Sequence, residues 1–405
     1  MEAILHRENK CIYDRINELT KCNKNSFIEI RRHLHQHPEL GYDEFETSKY
    51  IATILEKLGI EVQRGVAKTG VVGLLIGKYP GKTIAIRADM DALPINELND
   101  FSYKSKYDGR MHACGHDAHM TFALGAAIVL SKLKDELHGN VKFIFQPAEE
   151  TSGGAKPMIE EGVLENPRID AIIGAHVWNI ECGKFGIKTG PIMASTDVFE
   201  IKIIGKGGHA AQPQNAVDPI IIGSEIIGNI QNIKTRKMDP LEPVVISVCN
   251  FNAGETFNVI PNEAILRGTV RTLNPDLRKM LPQIIEKNVE SIVTSYGATC
   301  EFKYTYNYPV TVNDNDFTDF VKNSIINRFG KDSIEIIERP SMGGEDFAFY
   351  LQKVPGTFLW VGIRNEGMGI TQDIHHPMFT IDEEALSLAI EAYSNIVINF
   401  LNKIN

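Results

Sequence analysis

The order of predicted elements makes this an α/β chain: a mostly parallel sheet flanked by helices, into which an α+β domain of ferredoxin-like pattern is inserted. Three observations carry that reading. Short, nearly continuous apolar runs such as Thr83–Ala88 and Val141–Phe145 have the composition of strands covered on both faces. They alternate with helical stretches, and strand, helix, strand in succession implies parallel neighbours. From about Ser195 the pattern becomes strict alternation, with Phe199, Ile201 and Ile203 on one face, as in a half-buried strand. A chain of 405 residues exceeds one ordinary core, so two domains are expected, 1–194 with 307–405 and 195–306.

Taken in order, Ser26 with Glu29 reads as a capping box that opens a helix running towards His35 and stopping before Pro38. A second helix covers Glu44–Leu58, closed by Gly59. Val71–Ile76 and Thr83–Ala88 are strands, and the second leads into Arg87-Ala88-Asp89-Met90-Asp91-Ala92-Leu93-Pro94. An apolar helix follows over Asp117–Leu133. The strand Val141–Phe145 ends in Gln146-Pro147-Ala148-Glu149-Glu150. A helix near Gly154–Glu161 then leads to the strand Ile169–Ala175, which ends in His176.

The insertion reads as strand Thr196–Gly205, a helix opened by Asp218-Pro219, strands Val244–Phe251 and Ala264–Arg271, a helix from Asn274-Pro275 to Gly297, and strand Thr299–Tyr306. That order is the split βαββαβ unit. Beyond it lie a glycine turn entering a helix, Ser341–Phe347, a buried strand, Thr357–Gly362, and a closing helix from Asp382 to about Leu401.

The apolar fraction of 43% and charged fraction of 23% are those of a globular protein. A net charge of −10, with no cluster of lysine and arginine, argues against a nucleic-acid partner. No apolar run approaches a membrane span, and the charged stretch Met1–Lys10 lacks the apolar core of a signal peptide. Cysteines at 11, 22, 114, 182, 249 and 300 show no framework spacing, which points to reduced thiols in a cytoplasm.

The densest chemistry is Met111–Met120, where His112, Cys114, His116, Asp117 and His119 fall within a few residues. Cysteine, histidine and carboxylate are the ligands of a borderline-soft divalent metal. Gly115 frees the turn between Cys114 and His116 so that both can aim at one point. Asp89, Asp91, Glu149, Glu150 and His176 each lie at the carboxyl end of a predicted buried strand, the edge where open parallel sheets bind ligands. The adjacent Glu149 and Glu150 allow one carboxylate to bind metal while the other serves as general base. Elsewhere, Gly205–Ala211 presents His209 on a glycine-rich turn, and Arg267, Thr269 and Arg271 share a strand face. The Gly343-Gly344 turn offers backbone N–H groups, and His375-His376 precedes the last helix.

These motifs resemble the aminoacylase and carboxypeptidase family of co-catalytic metallopeptidases, in the branch of indoleacetyl-amino acid hydrolases, hippurate hydrolases and N-acetyldiaminopimelate deacetylases. The resemblance runs from about Phe27 to the C-terminal helix, through Asp89–Pro94, His112–Asp117, Gln146–Glu150, Gly208–Ala211, Asn258–Pro261, Gly344–Asp346 and His375–Pro377. It implies a catalytic domain holding two divalent ions, zinc or manganese with cobalt or nickel also compatible, through Cys114, His116, Glu150, His176 and His375. It implies Glu149 as general base and Asp91 as the residue that orients a ligand histidine. His209 and Asn258 would reach substrate from an inserted lid that also forms a homodimer. Arg271, Gly343 and Gly344 are candidates for gripping a substrate carboxylate. Other branches place a metal-binding histidine where Asp89 stands, so no ligand role is carried to Asp89, and none is assigned to His112 or His119. His375 is chosen over His376 because related sequences keep the first of the pair.

The expected activity is metal-dependent hydrolysis of small N-acyl amino acids. A metallo-carboxypeptidase or dipeptidase is the alternative within the family. A metal-free cysteine hydrolase built on Cys114 would leave Glu149, Glu150, His176 and His375 without a role. A non-catalytic metal binder would leave Glu149 without one.

Overall fold

The near-continuous apolar runs form the centre of one large sheet. A computed structural model of the chain describes residues 2–402, with side chains from Ile12 onward, so the calls on Met1–Lys10 and Cys11 lie outside the residues whose side chains are described. The chain divides into two units: Met1–Gly190, Asn313–Glu338 and Phe349–Asn405 in one, Pro191–Val312 and Arg339–Ala348 in the other.

In the first unit the elements before the second unit are α1 (Glu2–Gln36), α2 (Phe45–Lys57), β1 (Glu61–Val66), β2 (Gly70–Ile76), β3 (Tyr79–Asp89), α3 (His116–Ser131), β4 (His138–Gln146), α4 (Ala155–Glu160), β5 (Ala171–Glu181) and β6 (Phe185–Ile187). After it come α7 (Asn315–Phe329), β15 (Ile334–Ile336), β16 (Gly356–Arg364) and α9 (Glu384–Leu401). The sheet order is β1-β2-β4-β3-β5-β16-β6-β15. Its middle, β4-β3-β5-β16, is parallel, while β1 and β2 add an antiparallel edge. Helices α1, α3 and α9 pack on one another, and α3 and α9 pack on the sheet. The core they enclose includes Phe27, Phe122, Phe143, Phe145 and Ile390. Ala85, Ile144, Ile172 and Phe358 are buried as well, so both faces of the central strands are covered, as the run of apolar residues requires.

Two expectations are corrected here. The Ser26–Glu29 capping box does not open a helix, because α1 is already helical from Glu2 and Ser26 is exposed within it. Ile12, Ile16, Thr20, Phe27, Ile30 and Leu34 keep one buried stripe at helical spacing, and that packing overrides a local cap signal. His176 does not end its strand, because β5 runs on to Glu181 beside β16. Gly59 does close α2, in the left-handed conformation.

The second unit contains β7 (Gly190–Met193), β8 (Asp197–Ile204), β9 (Gly208–His209), α5 (Pro219–Arg236), β10 (Val244–Ala253), β11 (Val259–Ile260), β12 (Glu263–Thr272), α6 (Pro275–Ser295), β13 (Thr299–Thr305) and β14 (Thr311–Asn313); α8 (Ala348–Leu351) follows. The sheet β10-β12-β8-β13 is antiparallel throughout, with α5 and α6 on one face, the ferredoxin-like arrangement expected. Asp218 caps α5 through the Ile220 amide, and Asn274 caps α6 through Asp276 and Leu277, each ahead of its proline. Buried Asp197 gathers Nε and Nη2 of Arg278, the Tyr304 hydroxyl and the Asn307 amide, tying the first strand to the last. The segment 195–306 lies inside this unit, which extends further: Ser341 donates to Ile192 O and Ala194 donates to Ser341 O and Gly343 O. The helix expected after the Ser341–Phe347 turn is present as the four residues Ala348–Leu351.

Lys142 in β4 shows how the surrounding loops are held. Its buried ammonium donates to Val163 O (3.0 Å), Glu165 O (2.7 Å) and Pro167 O (3.0 Å), and burial pushes its pKa down to about 8. Lys142→Met keeps the apolar stem but leaves three carbonyls without their donor. We expect a loss of about 2–4 kcal/mol, read by calorimetry as a lower melting temperature; an unchanged transition would show that these carbonyls do not need the ammonium.

Candidate metal centre

The topology opens a crevice beside β3. The chain passes from β3 to β4 on one side, and β5 lies on the other, so connections leave in opposite directions at the carboxyl ends. Pairing between β3 and β5 stops at Arg87 and Gly174. Asp89 and His176 stand just past that point, and the first turn of α3 enters between them. The His119 side chain closes the gap: Nε2 accepts the Val177 amide at 2.8 Å, so Nδ1 carries the proton and donates to Asp89 Oδ1 at 2.6 Å. Both nitrogens of His119 are thereby used.

Around this bridge the structure gathers the cysteine, histidines and glutamates. His176 Nδ1 donates to Val177 O at 2.6 Å, which leaves the Nε2 lone pair 3.2 Å from Cys114 Sγ. His116 Nδ1 donates to Asp91 O at 2.8 Å, and its buried Nε2 has no partner. His375 is fixed by its amide to Ala113 O at 2.7 Å, in the left-handed region at φ 67°. Its Nε2 lies 3.3 Å from Cys114 Sγ and 3.2 Å from Glu150 Oε1. The neighbouring His376 instead accepts the Met378 amide. Two groups of donor atoms each lie within 4.8 Å of one another, Cys114 with His116 and His176, and Cys114 with Glu150 and His375. A third group, within the same distance, joins His116, Glu149 and Glu150. These hydrogen bonds through Nδ1 turn Nε2 of His116 and of His176 inward, the orientation metal ligation needs.

The charges call for a cation. Burial raises the Cys114 thiol, and Glu150, Glu149 and Asp89 raise it further, well above its ordinary value. Burial works against the His116 cation, yet Asp89 and Asp91 outweigh it and hold the pKa up at about 10. Glu150 is held down at about 2, with His375 and His116 overcoming burial. His176 is pushed down to about 3 by burial and by the neighbouring His119, and so remains a neutral donor. A thiol, carboxylates and the neutral His176 fit a divalent ion, whose charge would displace the proton from the thiol and from His116 alike.

Asp91 does more than face a histidine. Its Oδ1 lies 3.3 Å from His116 Nδ1, and its carboxylate also accepts the Glu149 amide at 3.0 Å and the Glu150 amide at 2.9 Å. Asp117, next to His116, is anchored to α1 by Arg31 Nε at 2.8 Å and His35 Nδ1 at 2.7 Å, while His35 Nε2 meets Glu97 at 3.1 Å. Arg31 and His35 carry no signal in the sequence beyond polar residues on a helix. Asp89 and His119 were visible in motifs, and only the parted strands explain why they pair with each other.

In the second unit His209 and Asn258 meet on one small ribbon, where the Ala210 amide donates to Asn258 O at 3.1 Å. His209 Nδ1 accepts the Ala211 amide at 3.0 Å, so its exposed Nε2 keeps the proton and is a donor. Arg271 is half-buried on the sheet face away from the helices, where desolvation pushes its guanidinium pKa down. Arg267 on the same face is paired with Glu200. Gly343 is exposed, while Gly344 sits so close to Thr196 that an added Cβ would lie 1.9 Å from its methyl. 

A fold and donor set of this kind define a metal-dependent hydrolase. The chain belongs to Peptidase family M20/M25/M40, whose profile matches residues 85–399. It is 44% identical over 381 residues to thermostable carboxypeptidase 2 of Saccharolobus solfataricus, covering 93% of this chain and 95% of that one. It is 42% identical over 379 residues to N-acetylcysteine deacetylase of Bacillus subtilis, covering 93% and 97%. Among solved structures, the YXEP protein of Bacillus subtilis, a dinuclear metal binding peptidase of the same family, superposes with a TM-score of 0.83 at 39% identity, over 95% of this chain and 100% of that one.

Gly115 is the point on which the Cys114–His116 turn depends. It holds φ 88°, and an added Cβ would lie 2.3 Å from Val177 Cγ2 on β5. Gly115→Ala should lower stability by more than about 2 kcal/mol, from left-handed strain plus overpacking. Calorimetry reads this directly, and a variant melting with the parent would show that the turn has room to adjust.

Proposed function

We propose that this hydrolase cleaves the amide bond of small N-acyl amino acids, releasing a carboxylic acid and a free amino acid, with two divalent ions held by Cys114, His116, Glu150, His176 and His375. The observation that carries the reading is the convergence of those five residues, with Glu149 beside them, at the switch point of the sheet. Cys114 belongs to two of the donor groups, one with His116 and His176 and one with Glu150 and His375, which suits two neighbouring ions. The thiol favours zinc, and the mixed set of donors also accommodates manganese, cobalt or nickel.

Divalent ions bound there supply a nucleophile at neutral pH and polarise the amide carbonyl. Glu149 takes the proton from the attacking water and returns it to the leaving nitrogen. Asp91 holds the Glu149 and Glu150 amides, so base and ligand keep a fixed spacing. His209, whose Nε2 proton is set by the Ala211 amide, donates to the developing oxyanion. Asn258 assists from the same ribbon. Arg271 and the Gly343-Gly344 turn receive the free carboxylate of the amino acid. The protein works as a homodimer through its second unit, with His209 serving the partner's site, and resides in the cytoplasm. Unpaired cysteines at 22, 114, 182, 249 and 300 fit a reducing compartment, and no helix among the described residues is long and apolar enough to cross a membrane.

A metal-free cysteine mechanism is disfavoured by charge. Nucleophilic cysteine needs a thiol of lowered pKa, whereas here burial and the carboxylates push the thiol up, and the mechanism would leave Glu149, Glu150, His176 and His375 without a role. A carboxypeptidase activity has specific support in the likeness to the Saccharolobus enzyme. A release assay over acetyl-, benzoyl- and indoleacetyl-amino acids and dipeptides, run with zinc and with manganese, separates the two. Cleavage of dipeptides alone would replace the deacylase reading.

The two glutamates should part company on mutation. Glu149→Gln should keep its metal by elemental analysis and lose kcat by about a hundredfold or more, as for removal of a general base. Glu150→Gln should lose metal. Equal metal loss in the two variants would refute the division of roles.

A further inference from the structure

Six non-glycine residues among those described hold φ in the left-handed region: Tyr42, Ala67, Lys68, Ala148, Asn166 and His375. Four of them, Tyr42, Ala67, Lys68 and Ala148, lie in three loops that meet around Glu44. Such backbone is sterically costly for residues with a Cβ and persists where surrounding contacts over-determine it.

Glu44 stands at the N-cap of α2, yet its side chain makes no cap bond. It is fully buried and turned towards the glutamate turn: Oε1 accepts the Ala148 amide at 2.9 Å, and Oε2 accepts the Thr69 hydroxyl at 2.6 Å. Thr69 is presented by the β1–β2 turn, in which Ala67 and Lys68 are both left-handed and the Ala67 amide is held by Glu161. On the other side, the Tyr42 hydroxyl donates to Gly153 O at 3.0 Å. Gly41 lies so close that an added Cβ would be 2.6 Å from Thr151 Oγ1 and 3.1 Å from Ala148 Cα. Asp91 holds the next two amides, of Glu149 and Glu150. Three successive N–H groups are therefore gripped by two carboxylates from outside the turn.

We infer that Glu44 is a positioning residue for the reaction, holding Ala148 in its left-handed conformation so that Glu149 and Glu150 are presented at the metal centre. The inference rests on the reading of Glu149 as base and Glu150 as ligand. The oxygen matters here rather than the charge, since its two partners are a neutral amide and a neutral hydroxyl. A glutamine can offer its oxygen to Ala148 and its amino group to the Thr69 oxygen. An alanine offers neither, and an aspartate falls one methylene short.

The test is steady-state kinetics of the full-length, metal-loaded protein on the substrate selected by the release panel, with folding checked by circular dichroism. Glu44→Ala should lower kcat fivefold or more with KM within threefold of the parent, and Glu44→Gln should stay within threefold of the parent in kcat. Adding Ala148→Gly to Glu44→Ala should restore part of kcat, because glycine adopts the left-handed φ without help. A role in stability alone would lower the melting temperature and leave kcat of the folded enzyme unmoved. Should Glu44→Ala fail to fold, Glu44→Asp carries the same expectation. A folded Ala or Asp variant losing less than fivefold in kcat, while Glu149→Gln is inactive in the same assay, overturns the inference. Full activity in Glu149→Gln overturns it for another reason, by removing the roles on which it rests.

Discussion

The pairing of His119 with Asp89 and the Val177 amide is the constraint on which the site depends. Parallel strands that part company leave backbone donors facing an apolar interior, a penalty that few folds leave unanswered. Here an imidazole from the first turn of α3 takes the Val177 N–H and hands its own proton to the end of β3. That single side chain holds the strands apart while satisfying both, and it sets the height of α3. Cys114, Gly115 and His116 follow from it, since they occupy the turn that delivers α3 to the gap. The second face of the same device is Asp117, which α1 grips through Arg31 and His35.

The site also concentrates acid. Asp89, Asp91, Glu149 and Glu150 sit in or beside one buried crevice with a thiol, and Arg87 is the permanent cation bonded there, to Asp89. The backbone answers part of this load, because Asp91 spends its oxygens on two amides. The rest falls on whatever positive charge the histidines and bound ions provide. This explains why His116 holds a proton so firmly and Cys114 so reluctantly releases one. Both shifts are upward, and the carboxylates of Asp89 and Glu150 contribute to each.

Much of this was legible in the sequence, and for physical reasons. Strands buried on both faces announce themselves by apolar continuity, and ends such as Asp89 and Gln146 then fall at one edge of the sheet. Caps written as Asp218-Pro219 and Asn274-Pro275 work through local hydrogen bonds, so a local reading finds them. What stayed hidden is non-local. Ser26 carries a good cap signal, but a stripe of side chains packed on α3 and α9 decides where α1 begins. His176 sits within β5 because β16 extends the ladder from the far end of the chain. Glu44 looks like an acid at a helix start, an ordinary place for one. Its partners at Thr69 and Ala148 lie 25 and 104 residues away.

The donor set of the metal centre has a consequence for how such a protein can change. Every proposed ligand, the base and their supports belong to the first unit, whereas His209, Asn258 and Arg271 belong to the second. On the proposed roles, a substitution in the second unit would alter substrate contacts and the oxyanion donor while leaving every ion-binding side chain in place.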